Sequence, residues 1–226
     1  MLGQLCFLPS GRSRVRRTEL YGLPVLRASL RPTGWWGQRR VERALRALQK
    51  RGVRTVLLPD GFHRWETLEA LGLRPVDPVP LLQAAAGPLA LALLARAGIA
   101  PTQATMALRG ERAGPELRRA AELLCPQVRQ LVIDAPRGGT ALAEDLRRRF
   151  GVPLLPRETV GDVGVLFSPA SAGADRQTLR LSSPAPDLAG LRLSLPGLEE
   201  KDREKLSLLA ALWQAGRLPV DRLKIT

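Results

Sequence analysis

The stretch from Gln103 to Gly139, QATMALRGERAGPELRRAAELLCPQVRQLVIDAPRGG, decides the fold class predicted for this 226-residue chain. Gln103–Arg109 is an apolar run with the composition of a strand. The segment 110–114 follows with a glycine at each end, and Pro115 then opens a helix, where its missing N–H is tolerated. These features predict a strand, a turn and a helix in direct succession.

The second half of the stretch completes a repeating pattern. Apolar residues of the helix follow the i, i+3, i+4, i+7 spacing of one buried face, namely Leu117, Ala120, Ala121 and Leu124. The run 131–133 is the next strand, and Asp134 closes it. Strand, turn, helix, strand and terminal acid together are typical of a βαβ nucleotide-binding unit.

Strand and helix patterns alternate around this unit. Strands are predicted at 55–58, 73–76, 152–155 and 163–167, and helices at 62–71, 81–96 and 140–150. Such alternation is typical of a largely parallel sheet. The predicted fold class is therefore α/β, a Rossmann-like three-layer domain with a mostly parallel sheet.

Different patterns flank this core on both sides. Short strands at Gln4–Leu8 and Leu23–Leu30 precede an amphipathic helix over 35–50. After residue 170, alternation at 178–182 and 191–195 predicts a β-hairpin, followed by a helix over 199–215 and an edge strand within 218–226. We expect a basic β/α section at 1–53, the α/β core at 54–170, and the hairpin with its helix at 171–226.

Composition narrows the class of protein. A hydrophobic fraction of 45% with 25% charged residues is ordinary for a globular domain. Cys6 and Cys125 are too few for a disulfide framework or a metal cage, which favours a reducing, cytoplasmic location. The N-terminus lacks the charge order of a signal peptide. The apolar segment 79–95 is marginal for a membrane span and indicates a buried helix, so no transmembrane segment is predicted.

Residues 81–157 resemble the Rossmann NAD(P)-binding domain of shikimate dehydrogenase-like and alanine dehydrogenase-like proteins. The resemblance implies that Gly110 and Gly114 let the backbone approach a pyrophosphate at the helix N-terminus. It also implies that Asp134 accepts hydrogen bonds from the ribose hydroxyls of NAD. Arg112 is the cation that would offset Glu111 beside the phosphates.

The same resemblance leaves the choice of cofactor open. Arg137 follows Asp134 closely, and a cation at this place accommodates the 2′-phosphate of NADP. Gly138 supplies a free backbone N–H before the next helix. NAD and NADP are both candidate cofactors on this basis.

The sequence departs from the family pattern in ways that predict a degenerate site. The turn reads G-x-x-x-G rather than G-x-G-x-x-G, and Glu111 and Glu116 place negative charge where phosphates would lie. The only histidine, His63, follows a strand together with Asp60, which permits acid–base chemistry but is more typical of a structural residue. No nucleophile triad and no metal-ligand cluster is recognised. We predict a non-catalytic, degenerate nucleotide-binding protein; an enzyme built on this plan would be an NAD(P)-dependent oxidoreductase.

The distribution of charge supports alternative functions. The net charge is +14, and residues 1–54 hold thirteen Lys and Arg against two acids. A nucleic-acid interface would use the arginines for phosphates and adjacent tryptophans for bases. Its candidate residues are Arg14, Arg16, Arg17, Trp35, Trp36, Arg39, Arg40 and Arg43. An acidic protein partner for 12–54, a structural or regulatory interaction module, and a merely solvated helix face with buried tryptophans remain alternatives.

Overall fold

A computed structural model describes residues 1–9, 14–32, 36–171 and 173–226. The strands are β1 (Leu2–Phe7), β2 (Arg14–Leu20), β3 (Leu23–Leu30), β4 (Thr55–Leu57), β5 (Arg74–Pro75), β6 (Thr105–Arg109), β7 (Gln130–Asp134), β8 (Leu154–Leu155), β9 (Val163–Leu166), β10 (Gln177–Arg180), β11 (Leu193–Ser194) and β12 (Lys224–Ile225). The α-helices are α1 (Gly37–Gln49), α2 (Trp65–Ala70), α3 (Val79–Ala84), α4 (Ala86–Arg96), α5 (Pro115–Leu124), α6 (Gly139–Phe150) and α7 (Leu206–Gln214). In the part of the chain so described, no helix combines the length and apolarity needed to cross a membrane.

Internal contacts divide the chain into two compact units. The first unit comprises 1–78 and 198–219, and the second comprises 79–197 and 220–226. The domain boundaries expected at 53/54 and 170/171 concern which segments fold as units, and they stay a prediction. β4 and β5 are described with the first unit because β4 pairs with β1, and β5 with β4.

The first unit is built on a five-stranded sheet of order β2-β3-β1-β4-β5. β2 is antiparallel to β3, and the other neighbours are parallel. The apolar stripe of α1 packs on one face of this sheet against Leu5, Leu26 and Ala28. Exposed charges along β2 obscured its alternation, so the sequence patterns did not predict this edge strand.

The second unit contains a five-stranded, all-parallel sheet of order β10-β9-β6-β7-β8. Counted along the chain within this sheet, the order is 5-4-1-2-3, the order of a doubly wound Rossmann sheet. Strands β6 and β9 therefore flank the point where the chain reverses its direction of winding. The predicted α/β, Rossmann-like fold class with a mostly parallel sheet is confirmed.

Helices and loops cover this sheet differently on its two faces. The predicted stripe of α5 is fully buried, and α5 contacts both α4 and α6. Near Ala107 and its neighbour Gly164 on β9, the opposite face is approached by Gly161 and Asp175, which lie in loops. These loops matter because they reach the candidate site.

The helix predicted over 81–96 is divided into α3 and α4. Pro88 lies in the first turn of α4, where a missing N–H costs nothing. A continuous helix would require that N–H for a hydrogen bond, so the chain starts a new helix at Ala86 instead.

The predicted hairpin of 178–182 with 191–195 is wrong in its pairing. β10 is the fifth strand of the parallel sheet and pairs with β9, whereas β11 pairs antiparallel with β12. Alternating burial is the same in either arrangement, so the pattern identified the strands without identifying their partners.

The helix predicted over 199–215 begins only at Leu206. Residues 200–204 form turns, and Lys205 is extended with a ψ of 99°. Contacts with Tyr21 hold this preceding segment, because the Tyr21 hydroxyl donates to Asp202 and accepts from the Glu199 N–H. The tertiary contacts thus override the acidic helix-start pattern.

Candidate functional site

The candidate site lies at the reversal of winding in the second unit. A cleft of about 460 Å³ opens beyond the carboxyl ends of β6 and β9. Its lining includes Gly110, Glu111 and Gly114 from the β6–α5 connection, and Phe167 and Ser168 from the residues after β9. Ligands of open α/β sheets bind in this position.

The β6–α5 connection is extended rather than tightly turned. The Gly110 N–H donates to the Asp134 carbonyl at 2.9 Å, and the Ala113 N–H donates to the Arg137 carbonyl at 2.8 Å. The parallel ladder therefore continues past the ends of both strands. Gly114 has a φ of −71°, which any residue adopts. A Cβ added there would meet no atom within 4 Å.

Two carboxylates line this cleft. Glu111 accepts a hydrogen bond from the Ser168 hydroxyl at 3.0 Å across the mouth of the cleft. Glu116, in the first turn of α5, pairs with Arg119 at 2.6 Å. Both carboxylates would repel a pyrophosphate at this helix N-terminus.

A buried arginine with five hydrogen bonds lies on the neighbouring face of the sheet. Arg109 closes β6 and is 5% exposed. Its Nε and Nη2 donate to the two oxygens of Asp175, each at 2.9 Å. Nη1 and Nη2 also donate to the carbonyls of Arg157 and Thr159, at 2.8 and 3.0 Å. The last bond runs from Nη1 to Asp134 Oδ2 at 3.2 Å, so all five guanidinium donors are used.

Asp175 joins this arginine to two loops. Its Oδ1 also accepts the Gly161 N–H at 2.8 Å. Its Oδ2 occupies the space that a side chain on Gly164 would fill. Hydrogen bonds to Asp175, followed by those to Asp134, raise the pKa of Arg109 above its ordinary value although burial opposes that rise. An arginine is charged at any ordinary pH, and the five hydrogen bonds hold its guanidinium in one orientation.

The predicted cofactor residues are separated by this arrangement. Gly110, Arg112 and Gly114 line the cleft, whereas Asp134 lines a separate hollow with Arg109 and Arg157. The segments after β6 and β7 are joined by backbone hydrogen bonds, and Arg112 and Arg137 form an isolated parallel β-bridge. Gly138 adopts a φ of 80° as the N-cap of α6, which explains the glycine without a ligand.

The sequence patterns did not identify Arg109 and Asp175. Arg109 is the last residue of the apolar run that predicts a strand, and Asp175 belongs to no predicted helix or strand. A charged residue ending an otherwise buried strand is a usable signal, because such a charge must be paired. Its partner follows 66 residues later, and no spacing rule predicts a contact at that separation.

Other reactive side chains do not form a catalytic arrangement. Asp60 and His63 belong to the first unit and are exposed. Burial raises the pKa of the Cys6 thiol, and burial together with Glu122 raises that of Cys125 to about 11. Both thiols are therefore protonated near neutral pH. Among the residues described, no group of three or more His, Cys, Asp or Glu is placed to hold a metal ion.

The candidate nucleic-acid residues lie on two faces of the first sheet. Arg17 is opposite Leu26, on the face that packs against α1, whereas Arg14 and Arg16 are on the other face because side chains alternate along a strand. Exposed arginines also lie along α1, namely Arg39, Arg40, Arg43 and Arg46. Trp36 is 50% exposed, with the Arg39 guanidinium 4.7 Å from its ring centre. Trp35 lies outside the described residues.

No family model and no curated protein matches this sequence. Among solved structures, L-tryptophan dehydrogenase from Nostoc punctiforme is similar, with a TM-score of 0.32 and 16% identity. The similarity covers 64% of this chain and 44% of the dehydrogenase chain, so this chain spans less than half of that protein. The Rossmann-like assignment of the second unit rests on its strand order.

Proposed function

We propose that this chain is a non-catalytic binding protein whose Rossmann-like second unit is a degenerate dinucleotide-binding domain. One observation carries the proposal. Asp134, the acid that would meet the ribose, is paired with Arg109, and Arg109 is itself held by Asp175. The Asp134 side chain is 27% exposed, but its Oδ2 already accepts from a charged group of the protein, which competes with a cofactor hydroxyl for that oxygen.

The surroundings of the cleft support the same proposal. A dinucleotide bound in the family manner would have to displace Arg109 from Asp134 and place its pyrophosphate beside Glu111 and Glu116. Neither cost is balanced by a turn that presents several free backbone N–H groups, because Ala113 already donates to Arg137.

Thermal unfolding with a panel of ligands tests this proposal. A ligand at a hundred times its Kd adds roughly 2.7 kcal/mol to stability, which is readily measured. We expect no stabilisation by NAD(H) or NADP(H) at about 1 mM, which places any Kd above that range. ATP and S-adenosylmethionine are included as adenosine-containing ligands that are not dinucleotides.

The outcomes are separable with two variants. A dose-dependent rise with NAD(H) that disappears in Asp134→Ala would contradict the proposal. A rise with S-adenosylmethionine alone would retain it and identify a ligand of the cleft. In that case Gly114→Ala should weaken binding, because Gly114 lines the cleft and its added Cβ would meet no other atom of the protein.

A nucleic-acid-binding role is the second candidate, and the exposed arginines of α1 favour it. Arg39, Arg43 and Arg46 follow helical spacing, and the half-exposed ring of Trp36 adds a stacking surface. Such an interface predicts that affinity falls steeply as salt rises, because bound counterions are released.

Replacing Arg39, Arg40 and Arg43 by Gln together tests this candidate. The slope of log K against log salt for duplex DNA should become less steep by about 0.9 for each lost phosphate contact. The matched control replaces Arg147, Arg148 and Arg149 by Gln, which removes three exposed charges from α6. Equal losses in both variants, or affinity that is insensitive to salt, would exclude a dedicated interface on α1.

A further inference from the structure

The first unit contains a cavity of about 510 Å³ that the proposed function does not use. Its floor is the face of the sheet opposite α1, where Gln4, Cys6 and Arg27 project from β1 and β3. The segment 199–208 lies on its other side. The volume is within the range typical of small-molecule sites.

Arg27 is the distinctive residue of this floor. It is half-buried, and its Nε donates to Gln4 Oε1 at 2.7 Å from the directly opposite position of the neighbouring strand. This bond fixes the guanidinium plane and leaves the Nη1 and Nη2 edge available. Among the described residues, no carboxylate pairs with Arg27. A guanidinium edge of this kind binds carboxylate or phosphate oxygens in pairs.

The two lysines that line the cavity are each paired with a carboxylate. Lys205 lies 3.2 Å from Asp202, and Lys201 lies 2.7 Å from Glu199. Glu19 also lines the cavity, so its three cations are matched in number by three carboxylates, and among the described residues Arg27 is the lining cation with no carboxylate within ion-pair distance. Cys6 lines the same cavity as Arg27 and Lys205; burial raises the pKa of its thiol, and the two positive charges oppose that rise.

Tyr21, whose backbone has a left-handed conformation, holds the segment 199–208 across the cavity. Tyr21 has a φ of 49° and, with Gly22 at 80°, forms the two-residue turn between β2 and β3. Positive φ is unfavourable for an aromatic residue and needs support from its surroundings. Its hydroxyl donates to Asp202 at 3.0 Å and accepts from the Glu199 N–H at 3.4 Å. The tyrosine thus anchors one end of the segment beside Arg27.

We propose that this cavity binds a small organic anion, whose carboxylate or phosphate group pairs with the Nη edge of Arg27. Leu57, Leu58 and Leu208 line the same cavity and would contact the apolar part of the ligand. The cavity belongs entirely to the first unit, so this site is independent of the cleft at Gly110.

Protection of Cys6 from alkylation tests the site without any activity assay. Inorganic phosphate and benzoate are the probes, with benzamide as the uncharged match of benzoate, at constant ionic strength. Iodoacetamide reacts with the minor thiolate form at about pH 8.5, so labelling is followed as a slow time course, and peptide mass spectrometry separates the two cysteines. Cys125 is 1% exposed and reports unfolding if it becomes labelled.

We expect at least one anion to slow Cys6 alkylation saturably, with a midpoint below about 10 mM. Arg27→Gln should raise that midpoint about tenfold or more because paired charge-assisted bonds are lost. Arg74→Gln removes an exposed charge outside the cavity and should leave the midpoint unchanged. Protection by phosphate alone or by benzoate alone supports the site and identifies the oxyanion.

Three results would overturn the site. They are protection by benzamide equal to that by benzoate, an unchanged midpoint in Arg27→Gln, and no protection by either anion. Should Cys125 labelling show that Arg27→Gln is unfolded, Gln4→Met replaces it, because that change leaves Arg27 charged but no longer oriented. An unchanged midpoint in the folded Gln4→Met variant would equally overturn the site.

Discussion

Replacing Asp175 by Ala is expected to lower the free energy of unfolding by about 3–5 kcal/mol. The side chain of Asp175 is fully buried, and its loss leaves the Arg109 guanidinium without its bidentate partner. The Gly161 N–H also loses its acceptor. Chemical denaturation of the variant and the wild type, analysed with a common slope, measures the difference.

The control is an ion pair of the same chemistry on the surface. Arg157 and Glu158 are paired at 2.8 Å with side chains 69% and 71% exposed, so Glu158→Ala should produce no measurable change. The double variant Arg109→Met, Asp175→Leu removes both charges and should recover part of the loss. Equal stability of Asp175→Ala and wild type would show that the buried pair does not hold these loops.

Replacing Gly164 by Ala is expected to destabilise the protein by about 1–3 kcal/mol. A Cβ at this position would overlap Asp175 Oδ2 and lie 2.6 Å from its Cγ, so the carboxylate must move. Its displacement disturbs the bonds to Arg109 as well. Thermal or denaturant unfolding measures the loss.

Two comparisons isolate the cause of this loss. Gly114→Ala adds the same methyl group into open space and should cost no more than about 1 kcal/mol, from weaker helix capping. In the Asp175→Ala background the overlap with the carboxylate is absent and only the Cβ of residue 175 remains, 2.9 Å away, so Gly164→Ala should cost less there than in the wild type. Additive losses in the double variant would contradict the proposed contact.

The fold was largely predictable because its signals are local. The buried stripe of α5, the strand at 131–133 and the glycine after α6 each follow from periodicity or backbone conformation within a few residues. The pairing of β10 was not predictable, because a half-buried strand has the same alternation whichever neighbour it joins.

The candidate site was predictable only in outline. Glycines at 110 and 114 correctly indicated a connection at the carboxyl end of a strand, and the cleft lies there. The role expected for Asp134 depended on what surrounds it, and the bond from Arg109 is a contact between β6 and β7 side chains. Asp175 and Gly164 complete that environment from distant parts of the sequence, which no local pattern reports.

Calorimetric titration of NADH into the wild-type protein and Asp134→Ala tests the central claim most directly. If Asp134 is committed to Arg109, neither protein should show saturable binding up to about 1 mM NADH. Saturable binding to the wild type with a Kd below about 100 μM, lost in Asp134→Ala, would contradict the account. That result would make Asp134 a working ribose acceptor and the second unit a functional dinucleotide-binding domain.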